Sequence, residues 1–329
     1  MGKPDPLRVV EAGYDWIEDD TAWLRGIADS AAPFGIGTGT VAYTVALGGV
    51  RPAITALAAR GAPTGFERSL RGFTRALGKT ARAVYAPTEF VGNAGYRLRR
   101  LAQLRGKTVD ELSGGHPIAA WALVGGDPRT RAVTIAFPAG RDVLDPEQPF
   151  PRARVLGLAA AHLGAAVRLR ALAAPKADVD GVTESVLGPN GKVLHAVGTA
   201  KTASARDSLV EAVVRRERAR GRLRRADADE ATQLWSVLVA GRWSIIDFVD
   251  RDGKRLLLAR KNPVGAPDVL ALTETERDVV WLATHGHSRK YIAYELGISA
   301  SQVGRRLASA MRKLRVTSRR ELLQRFGGS

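Results

Sequence analysis

The sequence predicts an α+β protein with a mixed sheet-and-helix region in residues 1–262 and an all-α unit in residues 268–329. In the first region, stretches with strand character and turn residues alternate with helical stretches, which is the element order of an α+β domain. The segment NPVGAPD, residues 262–268, is rich in proline and glycine and precedes a last segment with only helical periodicity. At 329 residues the chain is too long for one typical core, so two or three domains are expected.

A first domain is predicted over residues 1–175 from apolar spacing and turn residues. Apolar residues recur at helical spacing or alternate at strand spacing, and a Gly48-Gly49 pair splits the first two strands. The predicted elements are a helix in 5–32, strands in 38–47 and 52–61, helices in 66–84 and 96–104, strands in 118–125 and 131–138, and an Ala/Leu helix in 151–174.

A second unit is predicted over residues 180–262. VTESVLGPNGKVLHAVG has the pattern of a hairpin that turns at Pro189-Asn190-Gly191. Helical stretches follow in 205–225 and 228–240, and RWSIIDFVDRDGKRLLLARK is a second hairpin that turns at Asp252-Gly253.

Four helix starts are predicted between Leu272 and Phe326. A Ser or Thr followed three residues later by Glu or Gln forms a capping box, which satisfies backbone N–H groups at a helix start. The pairs are Thr273–Glu276, Ser299–Gln302 and Ser318–Glu321, and Ser288 is a plain N-cap. Gly286 and Gly297 stand where helices are expected to stop.

The third of these helices has two distinct faces at 100° per residue. Its apolar face is expected to pack against Ile292, Ala293 and Leu296 and consists of Val303, Leu307, Ala310, Met311 and Leu314. The opposite face consists of Ser301, Arg305, Ala308, Ser309 and Arg312. Arg305 and Arg312 are two helical turns apart, roughly 10 Å, which spans about three base pairs of duplex DNA.

The charge of the chain favours a polyanionic partner. The net charge of +17 and the pI near 10.8 point to nucleic acid first and to an anionic membrane surface second. An arginine-rich proteome would produce the same balance, so the charge alone leaves both interpretations open.

The segment from Leu272 to Leu322 resembles the LuxR/NarL-type helix-turn-helix domain. The residues that carry the resemblance are Leu272, Thr273, Glu276, Val279, Leu282, Ala283, Gly286, Ser288, Ile292, Ala293, Leu296, Ile298, Ser299, Val303, Lys313, Leu314, Val316, Ser318, Arg319 and Glu321. The resemblance implies a four-helix DNA-binding domain whose third helix enters the major groove, usually as a dimer on inverted half-sites. The chain departs from the family pattern at Gly304, Arg306 and Ala308, which puts the DNA sequence that it recognises in doubt.

The predicted DNA-contacting residues are Ser288, Lys290, Ser299, Ser301, Gln302, Gly304, Arg305, Arg306, Ala308, Ser309, Arg312 and Lys313. Arg305 is expected to contact base edges, because arginine can donate two hydrogen bonds to guanine, and Arg312 a base or a phosphate. Arg306, Lys313 and the N–H groups at the capped helix starts are expected to bind phosphates. Gly304 either lets the helix backbone approach the groove or is a tolerated defect on an exposed face. The alternative function is a protein-interaction module, for RNA polymerase docking or scaffolding, that uses the same helix corner.

The region before this segment is expected to be a sensor or a dimerisation platform. Receiver-type acidic residues, a Walker loop and an acyl-homoserine-lactone pocket pattern are all missing, and GIGTGT at 35–40 fits a turn before a strand. By element order, residues 1–175 resemble a GAF domain and residues 180–262 a PAS domain. Trp121, Phe137 and Trp243 fit core positions as well as ligand contacts, so the ligand is unknown.

Residues 211–225, EAVVRRERARGRLRR, contain seven arginines within eleven positions. The favoured interpretation is a solvated helix face, partly neutralised by Glu211, Glu217, Asp227, Asp229 and Glu230. Nonspecific phosphate contacts are the alternative.

Several other classes of function are disfavoured. The chain has no cysteine, which excludes disulfides and thiol chemistry, and the His285–His287 pair lacks a nearby carboxylate for a metal site. Ser113-Gly-Gly-His116 lacks the context of a hydrolase, so no enzyme activity and no cofactor are expected. No signal peptide or long apolar run is present, which predicts a cytoplasmic protein without a membrane partner. The expected partners are double-stranded DNA and a second copy of the chain, with RNA polymerase and a small molecule as further candidates.

Overall fold

The computed structural model describes residues 3–15, 17, 19–49, 51–85, 90–116, 118–127, 130–139, 153–172, 183–235, 243–249, 252–261, 272–284, 286–314 and 316–326. The predicted linker at 262–268 lies outside these residues. Within them the chain forms a mixed region with two antiparallel sheets, followed by a helical C-terminal domain. The α+β class is confirmed.

The first sheet has five antiparallel strands in the order β2-β1-β5-β4-β3. Its strands are β1 (Thr40–Ala46), β2 (Ala53–Arg60), β3 (Phe90–Asn93), β4 (Ala120–Asp127) and β5 (Arg131–Pro138). The helices around it are α1 (Pro6–Tyr14), α2 (Asp20–Ala31), α3 (Phe66–Ala76), α4 (Ala81–Tyr85), α5 (Ala94–Leu104), α6 (Val109–Ser113) and α7 (Ala153–Leu172).

Helices cover both faces of this sheet, because alternate strand residues point to opposite sides. Trp121, Leu123 and Phe137 lie in the core shared with α1, α2 and α7, while Tyr43 and Val124 lie in the core shared with α3 to α6. Trp121 and Phe137 are therefore core residues.

Small residues let α7 lie very close to β4. A Cβ atom at Gly125 would be 2.0 Å from the carbonyl oxygen of Ala160, and one at Gly164 would be 2.9 Å from the backbone nitrogen of Gly126. The glycines and alanines of this contact explain why α7, the helix that follows β5, is rich in alanine.

The second sheet has four antiparallel strands in the order β7-β6-β9-β8. Its strands are β6 (Thr183–Leu187), β7 (Val193–Ala196), β8 (Trp243–Val249) and β9 (Arg255–Lys261), and its helices are α8 (Ala203–Arg220), α9 (Arg222–Ala226) and α10 (Ala228–Leu234). Trp243 is buried and donates a hydrogen bond from Nε1 to Glu184 at 2.7 Å. Short 3₁₀ segments occupy Ala32–Phe34, Gly78–Thr80 and Gly198–Lys201.

The two predicted units of the first region share one hydrophobic core. Leu7 and Leu163 belong to the same buried cluster as Val213, Trp235 and Leu257. The separate domains at 1–175 and 180–262 stay a prediction, and the shared core shows that these units pack as neighbours.

Three aromatic rings meet in this shared core. The Tyr14 hydroxyl lies 3.2 Å from Nδ1 of His162, and the Trp235 ring lies 6.3 Å from the Tyr14 ring and 6.4 Å from the His162 ring. Complete burial lowers the pKa of His162 to about 3, so this imidazole is neutral at pH 7. Its role is therefore structural packing and not charge.

The interpretation of residues 211–225 as a solvated face is wrong for part of its arginines. Arg216 is fully buried, forms an ion pair with Asp247 and stacks 4.8 Å above the Trp235 ring. Arg220 binds Asp247 at 2.6 Å and also Glu11 in α1 at 2.8 Å.

Arg224 extends this network to the N-terminal segment. It binds Asp5 at 2.7 Å and Glu11 at 2.9 Å. By contrast, Arg215 forms an exposed pair with Glu211 one turn away, as predicted. Sequence proximity identified Glu211 and also Glu217, which lies 3.8 Å from Arg220, but not Asp5, Glu11 and Asp247, which are far away along the chain.

The C-terminal domain consists of α11 (Glu274–Thr284), α12 (Arg289–Leu296), α13 (Ala300–Lys313) and α14 (Arg319–Phe326). It has its own core, in which Val303, Leu307, Ala310 and Leu314 of α13 are buried and Ala293, Leu296 and Met311 are partly buried. The predicted apolar face of the third helix is confirmed.

Most predicted elements are present with shifted bounds. The helix at 5–32 is two helices, because Asp5 and Asp19 each cap a separate start. Strand β3 and helix α6 were not predicted. Strand β4 continues to Asp127, beyond the predicted strand end at residue 125. Residues 236–240 of the helix predicted over 228–240 lie outside the described residues.

None of the helices within the described ranges is both long enough and apolar enough to cross a membrane.

Replacing Asp247 tests the buried network. Asp247→Asn leaves the buried Arg216 guanidinium without its hydrogen-bonded carboxylate, so we expect the free energy of unfolding to fall by about 3 kcal/mol. Urea unfolding of the full chain measures this change. Glu211→Gln, which breaks the exposed Arg215 pair, is the matched control and should cost less than about 0.5 kcal/mol. Equal losses in the two variants would show that the network does not stabilise the fold.

Candidate nucleic-acid interface

Capping side chains define the starts of the C-terminal helices. Ser288 accepts a hydrogen bond from the Tyr291 N–H at 3.2 Å, and Ser299 and Gln302 form a reciprocal capping box at 3.2 and 2.8 Å. Thr273 and Glu276 form another at 3.3 and 2.7 Å. These predicted caps are confirmed.

The third predicted capping box is only half formed. Ser318 accepts from the Glu321 N–H at 3.1 Å, but the Glu321 carboxylate accepts from the N–H and hydroxyl of Thr317, each at 2.8 Å. Glu321 therefore caps one residue earlier than the sequence pattern predicts.

A glycine hinge joins α12 to α13. Gly297 has φ of 62°, a left-handed conformation that residues with a Cβ rarely adopt, and it ends α12. The Ile298 N–H then donates to the Ala293 carbonyl at 3.0 Å and turns the chain towards Ser299. This geometry packs α13 across α12 with its apolar face inward.

The outer face of α13 exposes arginines that the protein does not neutralise. Arg305, Arg306 and Arg312 are exposed, and none has an ion-pair or hydrogen-bond partner in the part of the chain that the structure describes. Ser301 and Ala308 are exposed beside them. The predicted face is thus accessible, basic and free of large apolar side chains.

One carboxylate borders this face on the side of α11. Glu276 is only 2% exposed and accepts a hydrogen bond from the Lys313 ammonium at 2.7 Å. Burial alone would raise its pKa, but hydrogen bonds from Lys313, the Thr273 N–H and the Ser309 hydroxyl lower the pKa of Glu276 to about 2. The carboxylate is therefore ionised at pH 7 and binds α13 to the start of α11.

This contact changes the interpretation of two predicted site residues. Lys313 and Ser309 are partly buried and face Glu276, so they stabilise the domain from the edge of the interface. The ion pair argues against the predicted phosphate contact of Lys313. The pair has no signature in the sequence, because Lys313 and Glu276 are 37 residues apart.

Gly304 borders the exposed face on the side of α12. A Cβ atom placed there would meet only Nη1 of Arg289, at the ordinary contact distance of 3.8 Å. Arg289 is exposed at the start of α12 and has no partner within the described ranges. It is a cation beside Arg305 that was not predicted, although its place after the N-cap Ser288 could have suggested it.

The other predicted residues lie at the helix starts. Lys290 is exposed on α12. Ser288 and Ser299 are exposed, but their hydroxyls serve as caps, and the Ser299 hydroxyl also lies 2.9 Å from that of Ser301. Gln302 is exposed while its amide oxygen caps Ser299.

The loop before α12 is held by α14 and by an aromatic stack. Arg319 donates to the His287 carbonyl oxygen at 2.6 Å, and the His287 ring stacks on Tyr291 at 4.3 Å. Over the described residues, no group of three or more His, Asp or Glu side chains could hold a metal ion. His285 lies outside those residues.

Ser113 and His116, which were not expected to form a hydrolase site, make contacts within the fold. Ser113 is buried and its hydroxyl donates to the Asp110 carbonyl oxygen at 3.4 Å. The His116 ring occupies the space above Gly72, where a Cβ atom would be 2.3 Å from Nε2.

Two capped helices at a glycine hinge, with a basic outer face on the second, define a helix-turn-helix domain. Residues 270–326 match the family model GerE, described as bacterial regulatory proteins, luxR family. The C-terminal domain of this chain is therefore a LuxR-family helix-turn-helix domain. A comparison with curated proteins gives no match for the chain.

Glu276→Gln tests the carboxylate that binds α13. The pKa of Glu276 is about 2 in the folded domain, below its usual 4.5, so its stabilising effect is present above pH 4.5 and is lost as the pH falls towards 2. We expect the variant to lose about 3 kcal/mol of domain stability at pH 7 and little at pH 2.

Hydrogen exchange of the α13 amides in the full chain, corrected for intrinsic rates, measures this loss. Arg320→Gln on the exposed side of α14 is the control and should change stability by less than about 0.5 kcal/mol. A loss for Glu276→Gln that stays constant from pH 7 to pH 2 would contradict the assigned role.

Proposed function

We propose that the protein is a DNA-binding transcriptional regulator that places α13 in the major groove of duplex DNA. The observation that carries this proposal is the set of exposed, unpaired arginines Arg305, Arg306 and Arg312 on a helix whose other side is anchored in the domain core. The LuxR-family match of residues 270–326 supports the same function.

The arrangement of these side chains suggests their roles. Arg305 and Arg312 are two turns apart, roughly 10 Å, so both can contact the same groove, with Arg305 at a base edge. Arg306 and Arg289 flank this row on opposite sides and are placed for phosphate contacts. Ser301, Gln302, Ala308 and Lys290 complete the proposed surface, with the N–H groups beside Ser288 and Ser299.

The mixed region of residues 1–262 is proposed to control this domain. It would act as a GAF-like and PAS-like sensor or as a dimerisation platform, so that two copies of the chain bind inverted half-sites. A cytoplasmic location and contact with RNA polymerase belong to the same proposal.

A protein-interaction module is the second candidate, and exposed tyrosines favour it. Tyr294 is 86% exposed and Tyr291 40% exposed on α12, and aromatic residues are enriched at protein interfaces. Docking of RNA polymerase on α12 would leave the arginine face of α13 free, so α12 and α13 can serve different partners.

Selection of fragments from random duplex DNA, followed by mobility shifts over a salt series, separates these candidates. Phosphate contacts release counterions, so the affinity for DNA should fall steeply and log-linearly with salt. Failure to enrich any sequence, together with weak binding at low salt, would favour the protein-interaction module.

Two arginine variants distinguish base contact from phosphate contact. Arg305→Ala should relax the preference at one base pair of each half-site and cost about 1–3 kcal/mol on the selected sequence. Arg306→Ala should weaken all sequences alike and reduce the salt slope by about 1. Arg225→Ala removes an exposed arginine of α9 and is the charge-matched control. If Arg305→Ala weakened every sequence equally, Arg305 would be a phosphate contact.

Gly304→Ala tests whether the helix backbone approaches the groove. Alanine has space at this position and should stabilise α13 by about 1 kcal/mol, because glycine is a poor helix former. We expect the same variant to bind the selected duplex more weakly, since its Cβ stands next to Arg305. Ala308→Gly makes the reverse exchange on this face, and its effect on DNA affinity separates the contribution of helix stability from that of steric fit. Unchanged DNA affinity in Gly304→Ala would make Gly304 a tolerated defect.

A further inference from the structure

The first sheet and its outer helices enclose an apolar cavity. It lies between strands β1, β4 and β5 and helices α3, α4 and α5, and its empty space of about 480 Å³ includes solvent at its open side. The enclosed part is smaller than this, so it accommodates only a compact ligand. No residue of the C-terminal domain lines it.

The lining is almost entirely apolar. Leu70, Phe73 and Leu98 project from the helices, and Ala122 and Ala136 lie on the floor formed by the strands. The small strand residues open the space that larger side chains would fill. No charged side chain is among the lining residues.

Tyr43, Tyr85 and Thr134 supply the polar groups of the cavity. The rings of Tyr43 and Tyr85 meet edge to face with centroids 6.1 Å apart, and the Tyr85 hydroxyl lies 2.7 Å from that of Thr74. Burial raises the pKa of Tyr85 to about 12 and that of Tyr43 well above its usual value. Both phenols are therefore neutral at pH 7.

The Thr134 hydroxyl is the unsatisfied group of this site. Thr134 is 1% exposed and lines the cavity, and its Oγ1 interacts with the Tyr43 hydroxyl but makes no hydrogen bond of good geometry within the described ranges. A buried hydroxyl without a well-aligned partner destabilises the fold, so a ligand that supplied such a partner would recover part of this free energy.

We propose that this cavity binds a compact, uncharged and largely apolar molecule that carries one hydroxyl or carbonyl group. The apolar part fills the space between Phe73 and the alanines of the sheet, and the polar group bonds to Thr134. A charged molecule does not fit this site, because the lining offers no countercharge to offset its desolvation. A role of this molecule as the signal for DNA binding rests on the function proposed above. Binding of the molecule to the cavity does not depend on that function.

Three probes of similar size test the proposal with the full chain. Calorimetric titration with benzyl alcohol, toluene and benzoate compares a neutral alcohol, the same ring without a polar group, and an anion. We expect saturable binding of benzyl alcohol, weaker binding of toluene and no binding of benzoate.

Two variants locate the binding. Thr134→Val keeps the shape and should weaken benzyl alcohol about five-fold while leaving toluene unchanged. Ala122→Leu fills the cavity and should abolish binding of both neutral probes. Ala136→Leu fills the same space from the neighbouring strand and replaces Ala122→Leu if that variant does not fold.

The proposal is overturned if benzyl alcohol does not bind, if a folded cavity-filling variant binds it unchanged, or if benzoate binds equally well. An equal loss of benzyl alcohol and toluene in Thr134→Val overturns the assigned hydrogen bond. DNA binding is measured separately without any probe. A chain that binds benzyl alcohol but no DNA supports the cavity and contradicts the proposed function, and the reverse result contradicts only the cavity.

Discussion

The Glu276 carboxylate fixes the position of the helix on which the proposed function depends. It caps α11 through the Thr273 N–H and binds Lys313 at the end of α13, so a single buried charge connects two helices. Because a hinge at Gly297 holds the other end of α13 against α12, the helix is constrained at both ends. A rigid helix can present its outer side chains without a large loss of conformational freedom when a partner binds.

Arginine side chains have two different roles in this protein. Arg216, Arg220 and Arg224 are paired with carboxylates, and Arg220 and Arg224 join the first two units through Asp5 and Glu11. These arginines therefore add to the net charge without offering it to a partner. Arg305 and Arg312 have no partner among the described residues and stand on an exposed helix. The net charge of the chain therefore overstates its binding surface, and the placement of each guanidinium identifies where polyanions can bind.

Local patterns in the sequence were sufficient wherever the determinants are close along the chain. The caps at Ser288 and Ser299 and the apolar face of α13 follow from residues within one or two turns. Partners that are distant along the chain could not be predicted. Lys313 was assigned to a phosphate contact because its actual partner, Glu276, lies at the start of α11, far from it in the sequence. Strand β3, with only four residues, has too short a pattern to be recognised before its pairing with β4 is known.

A photo-crosslinking side chain at position 308 tests the central claim most directly. Ala308 lies on the exposed face between Arg305 and Arg312, whereas Val214 is half exposed on α8 and serves as the control position. The account predicts that position 308 crosslinks to duplex DNA in a salt-sensitive manner and that position 214 does not. Crosslinks from position 308 to residues 1–262 alone, unchanged by DNA, would show that this face is an internal contact and would contradict the account.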